Sequence, residues 1–313
     1  MTATQTSSRS NTCGAVRADV YARVTERIVT ALETGTRPWV QPWRAEQAGP
    51  LAMPQRHNGT PYRGINVLLL WGEAIEHGYQ SSTWMTYKQA QALGGQVRKG
   101  EHGALVVFAN QYTKKETDDQ GDEVARDIHF MKGYTVFNVD QIDELPAMYR
   151  PTPVVHGEPL QRIEAAEQFF RHTGAVFQEG GHHAFYAPGP DIIRLPPTDV
   201  FRDAASYTAT KAHELVHWSG HTSRLARDFG AQRFGDEGYA IEELVAELGA
   251  AFLCADLGVT DEPRPDHAAY LASWLRALKN DKRLIFSAAA HAQRAADFLH
   301  SLQPATTLTA QAA

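Results

Sequence analysis

An α+β fold in two unlike halves is what this sequence predicts, and three observations carry that expectation. Over residues 15–145, short β-branched runs are interspersed with amphipathic helical stretches. A proline-rich stretch follows, with Pro146, Pro151 and Pro153 between Leu145 and Gly157. Beyond it, three short strand candidates come first and long helices after. The expected organisation is a mixed α/β domain over 15–145, a linker over 146–157 and a second domain over 158–303. At 313 residues, 43% hydrophobic and 21% charged, the chain is long enough for two domains, each with its own core.

From Arg17 to Leu32, apolar residues recur at helical spacing (Val20, Val24, Ile28, Leu32) and Gly35 stops the helix. Pro38 and Pro42 exclude a helix through Trp39 and Trp43. Asn58-Gly59 and Arg63-Gly64 mark turns. Helices are expected over Ile65–Ile75 and Thr86–Leu93, and strands over Gly103–Asn110 and Tyr134–Val139. The charged segment Lys114–Asp127 between those strands reads as an exposed hairpin loop. After the linker come a helix over Pro159–Thr173 and strand candidates at Val176-Phe177, Ala184–Tyr186 and Ile192–Leu195. Helices over 207–219, 240–257, 267–278 and 281–302 complete the chain. The polar ends, Met1–Cys13 and Pro304 onward, read as frayed tails.

Composition narrows the setting. Only Cys13 and Cys254 occur, so a disulfide framework is not expected, and Cys254 reads as a small buried apolar residue. No apolar run approaches the ~20 residues of a membrane span, and the start has no secretory apolar region. The expectation is a cytoplasmic protein with no membrane partner. The net charge of -6 argues against a strongly basic nucleic-acid binder. Residues 1–110 nevertheless hold 11 Lys/Arg against 7 Asp/Glu, so the front is mildly basic and the remainder acidic.

The clearest chemistry is His213-Glu214-Leu215-Val216-His217. Residues i and i+4 share a helix face, so both imidazoles can reach one ion. Glu214 projects beside them, placed to take a proton from water and pass it to a leaving amine. This is the H-E-x-x-H arrangement of a zinc peptidase centre, with Zn2+ the expected ion and Mn2+ another divalent candidate. For a chain of this composition the chance expectation of such a match is at most about 0.07, so the pattern carries weight.

A third ligand is needed. The very apolar helix Tyr239–Leu253 carries Glu243 and Glu247 one turn apart, and buried acids there demand partners. Glu243 is the expected ligand and Glu247 the acceptor that orients a ligand histidine. The reverse assignment stays open, and so does a His-only site using His221, although Gly220 is expected to end the helix before it. Glu242 is expected to point to solvent. Gly249 and Ala250 allow close packing against the His213 helix. Tyr207, Tyr239 and His267 are candidate oxyanion donors among which the sequence does not choose.

The front half has no catalytic signature but interleaves aromatics with cations. Trp39, Trp43 and Trp84 with Arg63, Lys88, Arg98 and Lys99 are the residues expected to bind single-stranded DNA, by stacking on bases and tracking phosphates. Arg98-Lys99-Gly100 is a basic turn entering a strand, suited to phosphate contact.

Several stretches together resemble the ArdC-type antirestriction proteins of conjugative plasmids, which share their N-terminal domain with TraC-type plasmid primases. In the front half these are Pro38-Trp39, Pro42-Trp43, Tyr62-Arg63-Gly64-Ile65-Asn66, Trp84–Ala90 and Val97–Glu101. In the back half they are His213–His221, Glu242–Ala250 and Trp274–Lys282. The resemblance spans roughly residues 15 to 300 in the same order. It implies an N-terminal single-stranded-DNA-binding domain, a C-terminal zincin-like metallopeptidase domain, and protection of incoming plasmid DNA from host restriction during conjugation. It carries across His213, His217 and Glu243 as metal ligands and Glu214 as general base.

Two readings follow. One is a DNA-binding metallopeptidase that cuts a host or plasmid protein. The alternative is a non-enzymatic coat for single-stranded DNA with a structural metal. A primase fragment is disfavoured, because no carboxylate cluster for nucleotide polymerisation is visible.

Overall fold

The computed structural model describes residues 13–39, 51–117, 123–149, 159–230, 237–259 and 267–304. The front half opens with helix α1 (Cys13–Glu33), followed by β1 (Gln55–Arg56), α2 (Ile65–His77), β2 (Thr83–Met85) and α3 (Tyr87–Ala92). Strands β3 (Gln96–Val97), β4 (Ala104–Thr117), β5 (Glu123–Asn138) and β6 (Ile142–Asp143) complete it. The back half runs α4 (Pro159–His172), β7 (Val176–Glu179), β8 (Phe185–Ala187), β9 (Ile192–Leu195), α5 (Ala204–Ser219), α6 (Glu237–Leu257), α7 (His267–Asn280) and α8 (Leu284–Ser301). This is the α+β class the sequence predicts.

In the front half, β1, β2, β5 and β4 form a sheet in that order, β1 parallel to β2 and the rest antiparallel. Strands β3 and β6 pair separately. Asn66, in the first turn of α2, pairs with both backbone groups of Val107 at 2.7 and 2.8 Å, which ties the helix to β4. Thr86 and Gln89 form a capping box at the start of α3.

The hairpin differs from expectation. Strand pairing continues through the charged segment read as a loop, as far as Thr117 opposite Glu123. A two-stranded ribbon needs only its backbone groups paired, so a polar, charged sequence does not prevent it. Residues 118–122 lie outside the described residues, as do Met1–Thr12, Trp43, positions 150–157 of the expected linker and the C-terminal tail beyond Pro304. Among the described residues, no helix is long and apolar enough to cross a membrane.

In the back half, β7, β9 and β8 form a sheet in that order, with β7 parallel and β8 antiparallel to β9, so β8 lies at an edge. Helix α6 packs against α5, α7 and α8 and is buried along most of its length, Cys254 included. The two halves share their main core, beside a small separate cluster of Met85, Ala90, Val97, Val139 and Ile142 in the front half. One contiguous cluster of buried side chains runs from Val20 on α1 to Leu299 on α8. Trp71 on α2 packs against Phe252 on α6, Tyr21 against Phe286, and Trp39 against Trp274. Thr25 also donates to the Lys282 carbonyl at 2.7 Å.

The α5–α6 contact positions the site, and Gly249 makes it possible. A Cβ at 249 would lie 2.8 and 2.9 Å from the two γ carbons of Val216. Gly249→Ala should therefore force the helices apart, cost about 1–3 kcal/mol by overpacking, and weaken metal binding with it. Urea unfolding of the variant checks this, and unchanged stability would contradict it.

Candidate metal centre

Helix α5 starts at Asp203, whose side chain accepts from the Ser206 backbone N–H at 2.7 Å. It ends at Gly220, one residue before His221, as the glycine predicts. Between these ends, His213, Glu214, Leu215 and Val216 are buried, and His217 is partly so. One helical turn brings the imidazoles together, with Nε2 of His213 and Nε2 of His217 3.2 Å apart. From α6, Glu243 places its two carboxylate oxygens 3.5 Å from those nitrogens, one to each.

These separations fit a metal ion. A tetrahedral ion with ligand bonds of about 2.0–2.2 Å holds its ligand atoms roughly 3.3–3.5 Å apart. His213, His217 and Glu243 form such a group, buried or nearly so. Glu73, Glu76 and His77 form a second compact trio, but Arg27 bonds both carboxylates there and offsets one of their two charges.

The acids of α6 divide their work, and Glu242 departs from its expected place. Glu242 does not point to solvent. Its Oε1 lies 3.0 Å from His217 Nδ1, and the Arg227 guanidinium donates to both of its oxygens at 2.6 and 2.8 Å. The Arg227 side chain is only 1% exposed, and it also donates to the Val216 carbonyl, so it anchors the loop after α5 as well as the acid. Glu247 faces the other histidine, its Oε2 4.0 Å from His213 Nδ1. The expectation of Glu242 as a solvated residue failed because Arg227, fifteen positions upstream, supplies the buried counter-charge.

Burial works against a charged His217, but Glu242, Glu243 and Glu214 outweigh it and raise its pKa to about 9. Burial likewise pushes Glu243 up, yet His213, His217 and Tyr239 bring it down to about 2. The pocket thus gathers anionic oxygen around two imidazoles, the charge pattern a dication would balance.

The site opens on a cleft of about 420 Å³ lined by β8 residues, Glu214, His221, Tyr239 and the ligand trio. Of the expected oxyanion donors, Tyr239 is in the cleft. Tyr207 instead packs on Phe201 and the Lys211 ammonium, and the His267 side chain lies outside the described residues. His221 lines the cleft but stands apart from the ligand trio, with Nδ1 2.7 Å from Ser223 Oγ.

The expected DNA-binding residues scatter. Trp39 and Trp84 are each 1% exposed, so no base can stack on them; both rings belong to the core. Arg63 pairs with Asp297 on α8, and Arg98 with Glu101 and Asp143. Lys88 and Lys99 are exposed at the start of α3 and in the turn after β3. Trp43 lies outside the described residues.

Comparison with known proteins agrees with this architecture. Residues 18–137 match the model of the N-terminal domain of anti-restriction factor ArdC, and residues 164–291 that of a zincin-like metallopeptidase. The metal-free crystal structure of antirestriction protein ArdC from plasmid R388 superimposes with a TM-score of 0.75 at 48% identity, covering 91% of this chain and 97% of that one. The chain belongs to the ArdC family of antirestriction proteins. The Mn(II)-bound crystal structure of the R388 protein gives a TM-score of 0.72 at 46% identity, covering 91% of this chain and 98% of that one. Protein y4eC of Sinorhizobium fredii is 43% identical over 290 residues, which is 91% of this chain and 92% of that protein. DNA primase TraC of Escherichia coli is 39% identical over 299 residues, 91% of this chain but only 27% of the primase.

The raised His217 pKa gives a signed prediction. Without an ion, His217 holds a proton up to about pH 9, and that proton must leave before Nε2 can ligate. Divalent-ion affinity should therefore rise by about tenfold per pH unit toward that value and level off above it. Calorimetric titration near pH 7 in buffers of different ionisation enthalpy should count about one proton released per ion. Binding without proton release would contradict the assignment.

Proposed function

We propose that this protein binds single-stranded DNA and carries a divalent-metal peptidase centre, and that it protects incoming plasmid DNA from host restriction during conjugation. The observation that carries the peptidase reading is the trio His213, His217 and Glu243, set beside Glu214 in a cleft bordered by an edge strand. A structural metal has its coordination closed by protein, whereas three protein ligands opening on a cleft leave a position for water and substrate.

His213, His217 and Glu243 would hold the ion, zinc by the chemistry of the donors, or Mn(II) as in the R388 relative. When bound, the ion supplies Lewis-acid polarisation of a carbonyl and lowers the pKa of water. The residues of the chain do the rest. Glu214 takes the proton from the attacking water and delivers it to the leaving nitrogen. Strand β8 offers edge backbone groups along which an extended peptide can lie, which favours a protein substrate. Tyr239, in the cleft with a hydroxyl contact to Glu243, is the phenol placed to face a developing oxyanion.

The DNA reading rests on family membership and on surface chemistry that moves away from the tryptophans. Among the described residues, the large exposed aromatics of the front half are Tyr87, Phe108 and Tyr134. Tyr87 adjoins exposed Lys88, and Phe108 lies within ring contact of Tyr134 and Phe130 on the outer face of the hairpin, next to Lys132. Aromatics flanked by cations are what sequence-tolerant single-strand binding requires.

Glu214→Ala should keep its metal while cleavage of a protein substrate such as casein falls by about 10²-fold or more. Plasmid transfer into a restricting host, compared with wild type, tells whether cleavage serves protection. Equal cleavage by the variant would remove the peptidase reading. Intact protection by a cleavage-dead variant would favour the DNA-coating alternative. Binding of the full chain to labelled oligo-dT should weaken as salt rises, with a shallower slope in a Lys88→Ala/Lys99→Ala variant. No binding at low salt would remove the DNA reading.

A further inference from the structure

We propose that Arg37 and Trp39, in the front half, are positioning residues for the metal centre in the back half, acting through Glu247 on His213. The inference rests on the metal-binding reading of His213, His217 and Glu243.

Glu247 is 3% exposed in the interior of α6, where an ionised carboxylate needs partners. Two of them come from the segment after α1. Arg37 Nη1 donates to Glu247 Oε1 at 3.1 Å, and Trp39 Nε1 donates to the same oxygen at 3.3 Å. Gly35, with φ of 79°, turns the chain out of α1 toward this position. The Trp39 ring is held edge-on against Trp274, which donates to the Ala240 carbonyl at 3.0 Å in the first turns of α6. With Oε1 gripped from the front half, Oε2 is the oxygen left facing His213 Nδ1. At 4.0 Å this is an electrostatic contact longer than a hydrogen bond, and the carboxylate's charge favours the tautomer that carries hydrogen on Nδ1 and leaves Nε2 open toward the ion.

The other histidine shows a tighter form of this arrangement, at 3.0 Å instead of 4.0 Å. His217 Nδ1 faces Glu242, and Arg227 holds Glu242. Each imidazole is therefore backed by a carboxylate, and each carboxylate by an arginine. For His217 the arginine belongs to the loop after α5. For His213 it belongs to the front half. The metal centre is completed across the boundary between the halves, so a displacement of residues 35–39 would register as a change in metal affinity.

The test uses the full chain with Arg37→Ala, Arg37→Lys, Trp39→Phe, Glu247→Gln and the Arg37→Ala/Glu247→Gln pair. Zn2+ and Mn2+ affinities come from competition with a chromophoric chelator, and the visible spectrum of the Co2+-loaded protein reports ligand geometry. Arg37→Ala and Glu247→Gln should each lower affinity by roughly 10-fold or more and alter the Co2+ spectrum. The pair should lose no more than the larger single effect, because both changes act on one linkage. Arg37→Lys should recover most of the affinity. Trp39→Phe, which keeps an aromatic ring in the core and removes the donor, should show a smaller loss in the same direction. If Arg37→Ala does not fold, Trp39→Phe and Arg37→Lys decide. Wild-type affinity and spectrum in Trp39→Phe and Arg37→Ala, or fully additive losses in the pair, would overturn the positioning role alone. Failure of the wild type to bind either ion would overturn the metal reading and this inference together.

Discussion

Two imidazoles and four carboxylates share one buried pocket where α5 meets α6, and charge inside a protein has to be balanced locally. His213 and His217 come from one helix with Glu214, and Glu242, Glu243 and Glu247 from the other. Arg227 and Arg37 each take one carboxylate, and the imidazoles face the remainder. The pocket exists only because the helices approach closely at Gly249 and Val216.

This constraint explains why the chain cannot be read as two independent pieces. A buried Glu247 needs a cation, and the cation available to it lies in the segment after α1. The front half therefore contributes to the charge balance of the back half, and the shared core from Val20 to Leu299 spans both. The two halves are then linked by contact, not merely joined by a tether.

Much of the site is legible in the sequence because its information is local. The i, i+4 spacing of His213 and His217 places both rings on one face whatever surrounds the helix. Glycine at 220 stops that helix, and acids inside an apolar helix announce buried chemistry. The rest depends on partners distant in sequence. Glu242 looks solvated until Arg227 folds over it. Trp39, beside cations, looks like a stacking platform, yet its indole serves the core and Glu247. The hairpin runs longer than its composition suggests, because composition describes side chains while ribbon pairing satisfies the backbone. The helices and the three-stranded sheet of the back half fall within a few residues of their expected ends.

The most direct measurement of the central claim is anomalous diffraction from crystals of the protein loaded with Zn2+ or Mn2+. One strong peak is expected, bonded to His213 Nε2, His217 Nε2 and the Glu243 carboxylate, with Glu242 and Glu247 facing the two Nδ1 atoms. A peak coordinated by Glu247 or His221 in place of Glu243, or no peak in the α5–α6 pocket, would contradict it.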